Sequence, residues 1–120
     1  MRFIPTRVHG VIDYLMGLIL IAAPWLLGFA QGGAETYVPV VLGAGVILYS
    51  LFTDYELGMV RTIPMSTHLT LDVIGGLVLA LSPWLFNFDN VVVAPHLIVG
   101  VLEIGAGIMT YTIPSHCRTC

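Results

Sequence analysis

The sequence has no lysine and few charged side chains of any kind. Charged residues make up 9% of its 120 residues and hydrophobic residues 58%, whereas about a quarter of the residues in soluble domains are charged. The formal net charge is -3, and a chain without a basic face is not expected to bind nucleic acid. We therefore predict that the main partner of this protein is the lipid bilayer, because so little polar surface cannot keep the chain in water.

Catalytic patterns are also missing, and cysteine is rare. The sequence contains neither a phosphate-binding loop nor an H-E-x-x-H helix, so we predict a protein that is not an enzyme and needs no cofactor. The two cysteines, Cys117 and Cys120, lie together in the C-terminal tail and cannot join distant parts of a fold. With His116 they offer weak candidate ligands for zinc. A solvated tail is the favoured interpretation.

Four apolar stretches account for most of the chain, and each is a candidate membrane-spanning helix. They cover 8–29, 38–52, 69–88 and 91–111. Since a hydrocarbon core of about 30 Å takes about 20 helical residues to cross, the second stretch is the least secure. The predicted fold class is all-α, a polytopic membrane protein of four transmembrane helices. The first stretch could be a signal peptide, but a similar segment recurs later, so we expect it to be retained.

The chain matches itself when it is shifted so that Arg2 falls on Arg61. The same shift aligns His9 with His68, Asp13 with Asp72, and Pro24-Trp25-Leu26 with Pro83-Trp84-Leu85. The second helices align less well, with Pro39 opposite Pro95. This pattern predicts two tandem helical hairpins, at 1–59 and 60–114, and a short tail at 115–120. Because each hairpin crosses the membrane twice, the two copies share one orientation and are parallel repeats.

The tripeptide Ser82-Pro83-Trp84, in the first helix of such a two-helix unit, resembles the SPW-repeat integral membrane proteins, which are named for it. The first copy departs from the motif with Ala23 before Pro24-Trp25, so a hydroxyl group is not required in both copies. The resemblance covers nearly the whole chain. It implies a four-helix membrane domain, and no activity, cofactor or catalytic residue is carried over from the family.

The arginines all lie on one side of the predicted helices. Arg2 and Arg7 precede the first helix, Arg61 lies between the second and third, and Arg118 follows the fourth. The positive-inside rule then predicts an integral protein of the cytoplasmic (inner) membrane with both termini in the cytoplasm.

The two Pro-Trp pairs lie near the outer ends of their helices. Proline removes a backbone donor and bends the last turn, and an indole ring prefers the headgroup region. The favoured interpretation is a bent helix end with an interfacial aromatic belt. Its predicted members are Trp25, Phe29, Trp84 and Phe88. A ligand-binding aromatic pocket is the alternative.

Ionisable residues inside the predicted helices form a candidate intramembrane polar site. His9 and Asp13 are four residues apart, as are His68 and Asp72, so each pair lies on one helix face. In the fourth helix one stripe is formed by His96, Gly100, Glu103, Gly107 and Tyr111. The corresponding stripe of the second helix, with neither histidine nor acid, is predicted to be Val40, Ala44, Ile47, Leu51 and Tyr55.

Two interpretations of these polar residues stay open. In the structural one, each histidine pairs with the aspartate of its own helix or with backbone groups, and glycines allow the helices to pack closely. Those glycines are Gly17, Gly43, Gly45, Gly76, Gly100 and Gly107. In the functional one, Asp13, Asp72 and Glu103 form a proton or cation path.

We favour the structural interpretation, because four helices leave little room for a pore. The predicted function is a non-enzymatic structural or interaction module, with a second copy or another membrane protein as partner. A small proton, cation or solute transporter is the alternative.

Overall fold

The computed structural model describes residues 2–112, and this part of the chain contains four α-helices and no β-strand. The helices are α1 (Thr6–Leu26), α2 (Ala34–Leu51), α3 (Met65–Leu85) and α4 (Ala94–Met109). The first three are long and apolar enough to cross a membrane, while α4 is a shorter apolar helix of 16 residues. The predicted fold class, an all-α membrane protein of four helices, is confirmed.

The second apolar stretch is the shortest in the sequence, but the shortest helix of the structure is α4. Helix α2 begins at Ala34, before its apolar run, and includes Glu35 and Thr36. Both of these polar residues are buried in the fold. Hydropathy alone therefore places the start of α2 too late.

Helices α1 and α3 both begin directly after a proline. Pro5 and Pro64 are the N-cap residues, with extended backbones at ψ 146° and 147°. Their carbonyl groups accept hydrogen bonds from the backbone N–H groups of His9 and His68, both at 3.0 Å. The two helices therefore start before the predicted apolar stretches, and each histidine lies inside the first turns of its helix.

The same two helices end in a left-handed turn just after Pro-Trp-Leu. Gly28 and Asn87 have φ angles of 74° and 59°, a conformation that glycine and asparagine adopt most readily. The N–H groups of Phe29 and Phe88 then donate back to the carbonyls of Pro24 and Pro83, at 2.9 and 2.8 Å. Neither phenylalanine continues its helix, although the predicted stretches included both, because the chain has already reversed direction.

Close helix packing occurs within each hairpin, between α1 and α2 and between α3 and α4. A Cβ atom added at Gly43 would lie 2.6 Å from the carbonyl oxygen of Gly17, and one at Gly100 would lie 2.6 Å from that of Gly76. Gly107 also packs closely, against Leu69 and Val73. The prediction for Gly45 was wrong, since a Cβ atom there would meet nothing within 4 Å.

The two hairpins also meet through backbone bridges at the end where α1 and α3 begin. Ile4 forms a parallel bridge with Thr110, just after α4, and Ile63 forms one with Thr53, just after α2. The N–H groups of Ile4 and Ile63 donate to the carbonyls of Met109 and Phe52, at 2.9 and 2.7 Å. The segment before each histidine-bearing helix is thus fixed to the end of another helix.

Candidate functional site

Four polar residues of α1 and α3 form one buried cluster, which we call the His/Asp cluster. It consists of His9 and Asp13 from α1 and His68 and Asp72 from α3, each at most 1% exposed. The two imidazole ring centroids are 5.5 Å apart in an edge-to-face arrangement. The four residues that the sequence places on two helix faces are thus brought together at one point between the helices.

The shortest contacts of the His/Asp cluster run between the helices. His9 Nε2 lies 2.7 Å from Asp72 Oδ2, and His68 Nε2 lies 2.8 Å from Asp13 Oδ2. The contacts within each helix, from His9 to Asp13 and from His68 to Asp72, are longer at 3.0 and 3.2 Å. Pairing within one helix, as predicted, is therefore only part of the arrangement. Each imidazole lies between two carboxylates.

Two threonines orient the imidazole rings. Thr110 Oγ1 lies 2.7 Å from His9 Nδ1, and Thr53 Oγ1 lies 2.7 Å from His68 Nδ1. Each hydroxyl donates its own hydrogen to a backbone carbonyl four residues earlier, at 2.6 Å in both cases. Since the hydroxyl hydrogen is used there, the threonine oxygen accepts from Nδ1–H. Nε2 of each ring is therefore the atom that faces the carboxylates.

Two tyrosines from the second helix and its following loop complete the surroundings of the carboxylates. The Tyr49 hydroxyl donates to Asp72 Oδ1, and the Tyr55 hydroxyl donates to Asp13 Oδ2 at 3.2 Å. Burial and the nearby Asp13 carboxylate raise the pKa of Tyr55 above its usual value, so Tyr55 remains a donor. Both carboxylates thus receive a hydroxyl hydrogen bond besides their imidazole contacts.

Sequence reasoning missed the two threonines and the two tyrosines. One signal for the threonines was present, since Thr53 and Thr110 each come just after the helix that ends their hairpin. Tyr49 had no such signal, because an alignment of Thr53 with Thr110 places Tyr49 on Ala106.

Glu103 in α4 is not a member of the His/Asp cluster and is 7% exposed. Among the residues the structure describes, none forms a hydrogen bond with its Oε1 atom. The predicted stripe is right for His96, Gly100, Glu103 and Gly107, which are the buried residues of α4. Tyr111 follows the helix and is 40% exposed.

A cleft of about 330 Å³ lies between α2 and α3 and reaches Glu103. Apolar residues form most of its wall, and the polar side chains at its inner end belong to Tyr49, Asp72 and Glu103. Val41 and Ile74 also line it, and both are more than half exposed on the apolar outer surface. The cleft therefore connects the lipid-facing surface with two buried carboxyl groups, those of Asp72 and Glu103.

The first four residues of the predicted stripe of the second helix were wrong by one position, whereas the fifth, Tyr55, lies after the helix and is fully buried. The buried residues of α2 include Pro39, Gly43, Val46 and Ser50. They correspond in the same order to the four buried residues of α4, with Pro39 matching His96. The alignment of Pro39 with Pro95 misled the comparison, because α4 buries the residue after that proline. Glu103 therefore corresponds to Val46, so one half has a carboxyl group where the other has an isopropyl group.

The aromatic residues beyond the Pro-Trp pairs separate into two groups. Trp25 and Trp84 are 63% and 49% exposed, as an interfacial belt requires. Phe29 and Phe88 were wrongly assigned to that belt, because both are buried against the His96 ring, with centroids 5.2 and 4.9 Å from it. The left-handed turns after α1 and α3 direct the two phenylalanines inward.

The serine of the Ser-Pro-Trp motif has a specific backbone partner. Pro83 has no N–H, so the carbonyl of Leu79, four residues earlier, lacks its usual helical partner. The Ser82 hydroxyl donates to that carbonyl at 2.6 Å and is fully buried. In the first copy Ala23 precedes Pro24 and has no hydroxyl to donate.

The weak candidate metal ligands His116, Cys117 and Cys120 lie outside the described residues.

A family model described as the SPW repeat domain matches residues 7–110, which include nearly all of the four helices. No curated protein and no solved structure matches the chain.

Proposed function

Because the chain belongs to the SPW repeat family, a family of membrane proteins, we propose that it is a non-enzymatic membrane module. Its two hairpins are held together at the buried His/Asp cluster, and its outer surface is available to lipid and to another membrane protein or a second copy. We further propose that the protein lies in the cytoplasmic membrane with both termini in the cytoplasm, as its arginines favour.

The observation that carries this proposal is the reciprocal pairing of α1 with α3. His9 contacts Asp72 and His68 contacts Asp13, so each hairpin supplies one imidazole and one carboxylate to the other. Packing between hairpins is less extensive than within them, so these contacts contribute much of what joins the halves. In a membrane, little free energy is gained when apolar side chains exchange contacts with lipid for contacts with each other. Helices are therefore held together by polar contacts and close packing.

Further support comes from the burial of the cluster and from its hydrogen-bond partners. Both imidazoles and both carboxylates are buried, and each has a hydroxyl partner from the end of α2, the loop after it, or the residue after α4. A buried charged group without partners would be very costly. The arrangement suits a fixed connection between helices, with Asp72 alone of the four cluster residues also lining the cleft between α2 and α3.

The experiment compares two histidine variants of the full-length protein in detergent. His68→Gln removes an imidazole from between two carboxylates, whereas His96→Gln removes an equally buried histidine outside the His/Asp cluster. We expect His68→Gln to lower the melting temperature much more than His96→Gln. Equal losses would contradict a special role for the cluster.

A second candidate function, a small proton, cation or solute transporter, is favoured by one observation. Glu103 lines the cleft between α2 and α3, and its Oε1 atom makes no hydrogen bond with the described part of the chain. A buried acceptor without a partner is costly, and ionisable residues kept inside membrane helices often mark transport pathways.

Flux measurements in reconstituted vesicles separate the two candidates. For the non-enzymatic module we expect no proton or cation flux above that of protein-free vesicles. Flux that disappears in Glu103→Gln, and persists when the exposed Asp89 is changed to Asn, would establish the transporter instead.

A further inference from the structure

We propose that the His/Asp cluster binds one divalent first-row transition-metal ion, with Zn²⁺ as the representative ion. The ligands are Nε2 of His9, Nε2 of His68 and one carboxylate oxygen each from Asp13 and Asp72. These four atoms lie within 4.8 Å of one another, and all four residues are buried. This proposal goes beyond the structural role of the cluster and assigns it a chemical partner.

The hydrogen-bond directions at the two threonines are the first step. Because Thr53 and Thr110 accept from Nδ1–H of the two histidines, the lone pair of each neutral imidazole is on Nε2. Both Nε2 atoms point at carboxylate oxygens, which only accept hydrogen bonds when ionised. Four lone-pair atoms therefore converge on one point, and a positive species is needed between them.

The charge balance admits two solutions. Two aspartates carry a total charge of -2, which either two protons on the imidazoles or one divalent cation neutralises. The hydroxyl groups of Tyr49 and Tyr55 donate hydrogen bonds to these carboxylates and add no charge of their own. A divalent ion matches the site in total charge and, unlike protons, uses all four converging atoms as ligands.

The distances fit a small ion. In a tetrahedral site with metal–ligand bonds of about 2.1 Å, neighbouring ligand atoms lie about 3.4 Å apart. With Asp13 Oδ2 and Asp72 Oδ2 as the carboxylate ligands, three imidazole–carboxylate distances are 2.7, 2.8 and 3.2 Å, and a set of four ligand atoms from these residues lies within 4.8 Å of one another. To bind the ion, the closest ligand atoms would separate by about 0.7 Å and the most distant ones would approach each other, without a change of side-chain partners.

The surroundings are those of metal-binding histidines. A ligating histidine almost always donates its other ring N–H to an oxygen, which fixes the ring orientation. Here that role belongs to Thr110 for His9 and to Thr53 for His68. Both threonines are fully buried, and each is held by a hydrogen bond to a backbone carbonyl. The threonines therefore fix the orientation of the two ligating imidazoles.

The donor set selects the type of metal. Two imidazole nitrogens and two carboxylate oxygens suit zinc and other divalent first-row ions, whereas Mg²⁺ and Ca²⁺ prefer oxygen ligands alone. No sulfur ligand takes part, which disfavours Cu⁺.

The test uses full-length protein in detergent, stripped of metal with a chelator and titrated with Zn²⁺ and, separately, with Co²⁺. All proteins carry Cys117→Ser and Cys120→Ser, so that the tail does not contribute. We expect one equivalent of Zn²⁺ per chain and visible Co²⁺ absorption bands of four-coordinate geometry. We expect Asp13→Asn to lose both and the control His96→Gln to keep both.

A variant that keeps all four ligands tests the proposal if Asp13→Asn does not fold. Thr53→Val keeps all four ligands and removes the acceptor of His68 Nδ1–H, so we expect about 10- to 100-fold weaker Zn²⁺ binding. Thr70→Val is the matched control, since Thr70 is an exposed helical threonine whose hydroxyl likewise donates to a carbonyl four residues earlier. It should leave Zn²⁺ affinity unchanged.

Three results would overturn the proposal. They are the absence of Zn²⁺ and Co²⁺ binding in the parent protein, binding that survives in a folded Asp13→Asn variant, and equal affinities for Thr53→Val and Thr70→Val. Absence of binding alone would leave the two protons as the positive species, and the structural role of the cluster would still stand on the melting temperatures of the histidine variants.

Discussion

The two hairpins agree closely at the His/Asp cluster and differ elsewhere. Each supplies a histidine and an aspartate to the His/Asp cluster, and each histidine receives its threonine partner from the end of a second helix. Away from the cluster, only the second half has Glu103, His96 and Ser82, and their counterparts in the first half are apolar. The reciprocal contacts of the cluster require matched residues in both halves, whereas His96 contacts Phe29 and the Glu35 carbonyl of the first half without a histidine counterpart there.

This comparison separates two kinds of polar residue inside the membrane. The cluster residues have partners in the other half, so a change in one copy disturbs both. Glu103 corresponds to Val46 and faces the cleft between α2 and α3. Only the second half has this carboxyl group, and its removal should leave the contacts between the halves intact.

The largest effect is expected for the aspartates of the cluster. Asp13→Asn and Asp72→Asn each remove a charged partner from a buried pair, and we expect each to lower the free energy of unfolding by about 3 to 5 kcal/mol. The measurement is an unfolding titration in mixed micelles, with the exposed Asp89→Asn as control. A large loss for one aspartate and none for the other would show that the halves are not equivalent.

The glycine pairs should come next. Gly76→Ala places a Cβ atom 2.7 Å from the carbonyl oxygen of Gly100, and Gly17→Ala places one 2.9 Å from that of Gly43. We expect each to lower the free energy of unfolding by about 1 to 3 kcal/mol, since the backbones must separate. Gly45→Ala is the control, with open space around its Cβ atom. A comparable loss for Gly45→Ala would refute close packing as the cause.

Glu103→Val gives the second half the residue that the first half has at Val46. Because Glu103 Oε1 is buried without a hydrogen-bond partner in the described part of the chain, its replacement should raise the free energy of unfolding by about 1 kcal/mol. The reverse change, Val46→Glu, should lower it. If Glu103→Val instead destabilises the protein as much as Asp72→Asn does, Glu103 belongs to the connection between the halves.

The sequence is enough to predict the four helices and their class but not their ends. Hydropathy identifies the apolar runs, while Pro5 and Pro64 start α1 and α3 earlier. The left-handed turns at Gly28 and Asn87 end the same helices before Phe29 and Phe88. Helix ends depend on local backbone hydrogen bonds, which a hydropathy average does not contain.

The candidate site is predictable only in part, for a different reason. The internal repeat identifies His9, Asp13, His68 and Asp72, and helical spacing gives each helix its polar face. Which residue faces which across the interface depends on how the helices are rotated about their axes. For the second helices, the sequence fits about equally well with Pro39 opposite Pro95 or opposite the residue after it. The reciprocal pairing and the two threonine partners could therefore be found only from the packed helices.

The smallest effect concerns the serine of the Ser-Pro-Trp motif, and the two halves give a matched pair of variants. Ser82→Ala leaves the carbonyl of Leu79 without the hydroxyl that replaces the missing N–H of Pro83. We expect the free energy of unfolding to fall by about 0.6 kcal/mol, which is the average for side-chain hydrogen bonds between membrane helices. Ala23→Ser offers the same hydroxyl to Leu20, four residues before Pro24, and should raise it by a similar amount. Since Ala23 is buried like Ser82, a gain there would mean that the first half lacks only the hydroxyl, whereas a loss would mean that the two Pro-Trp helix ends differ in their packing.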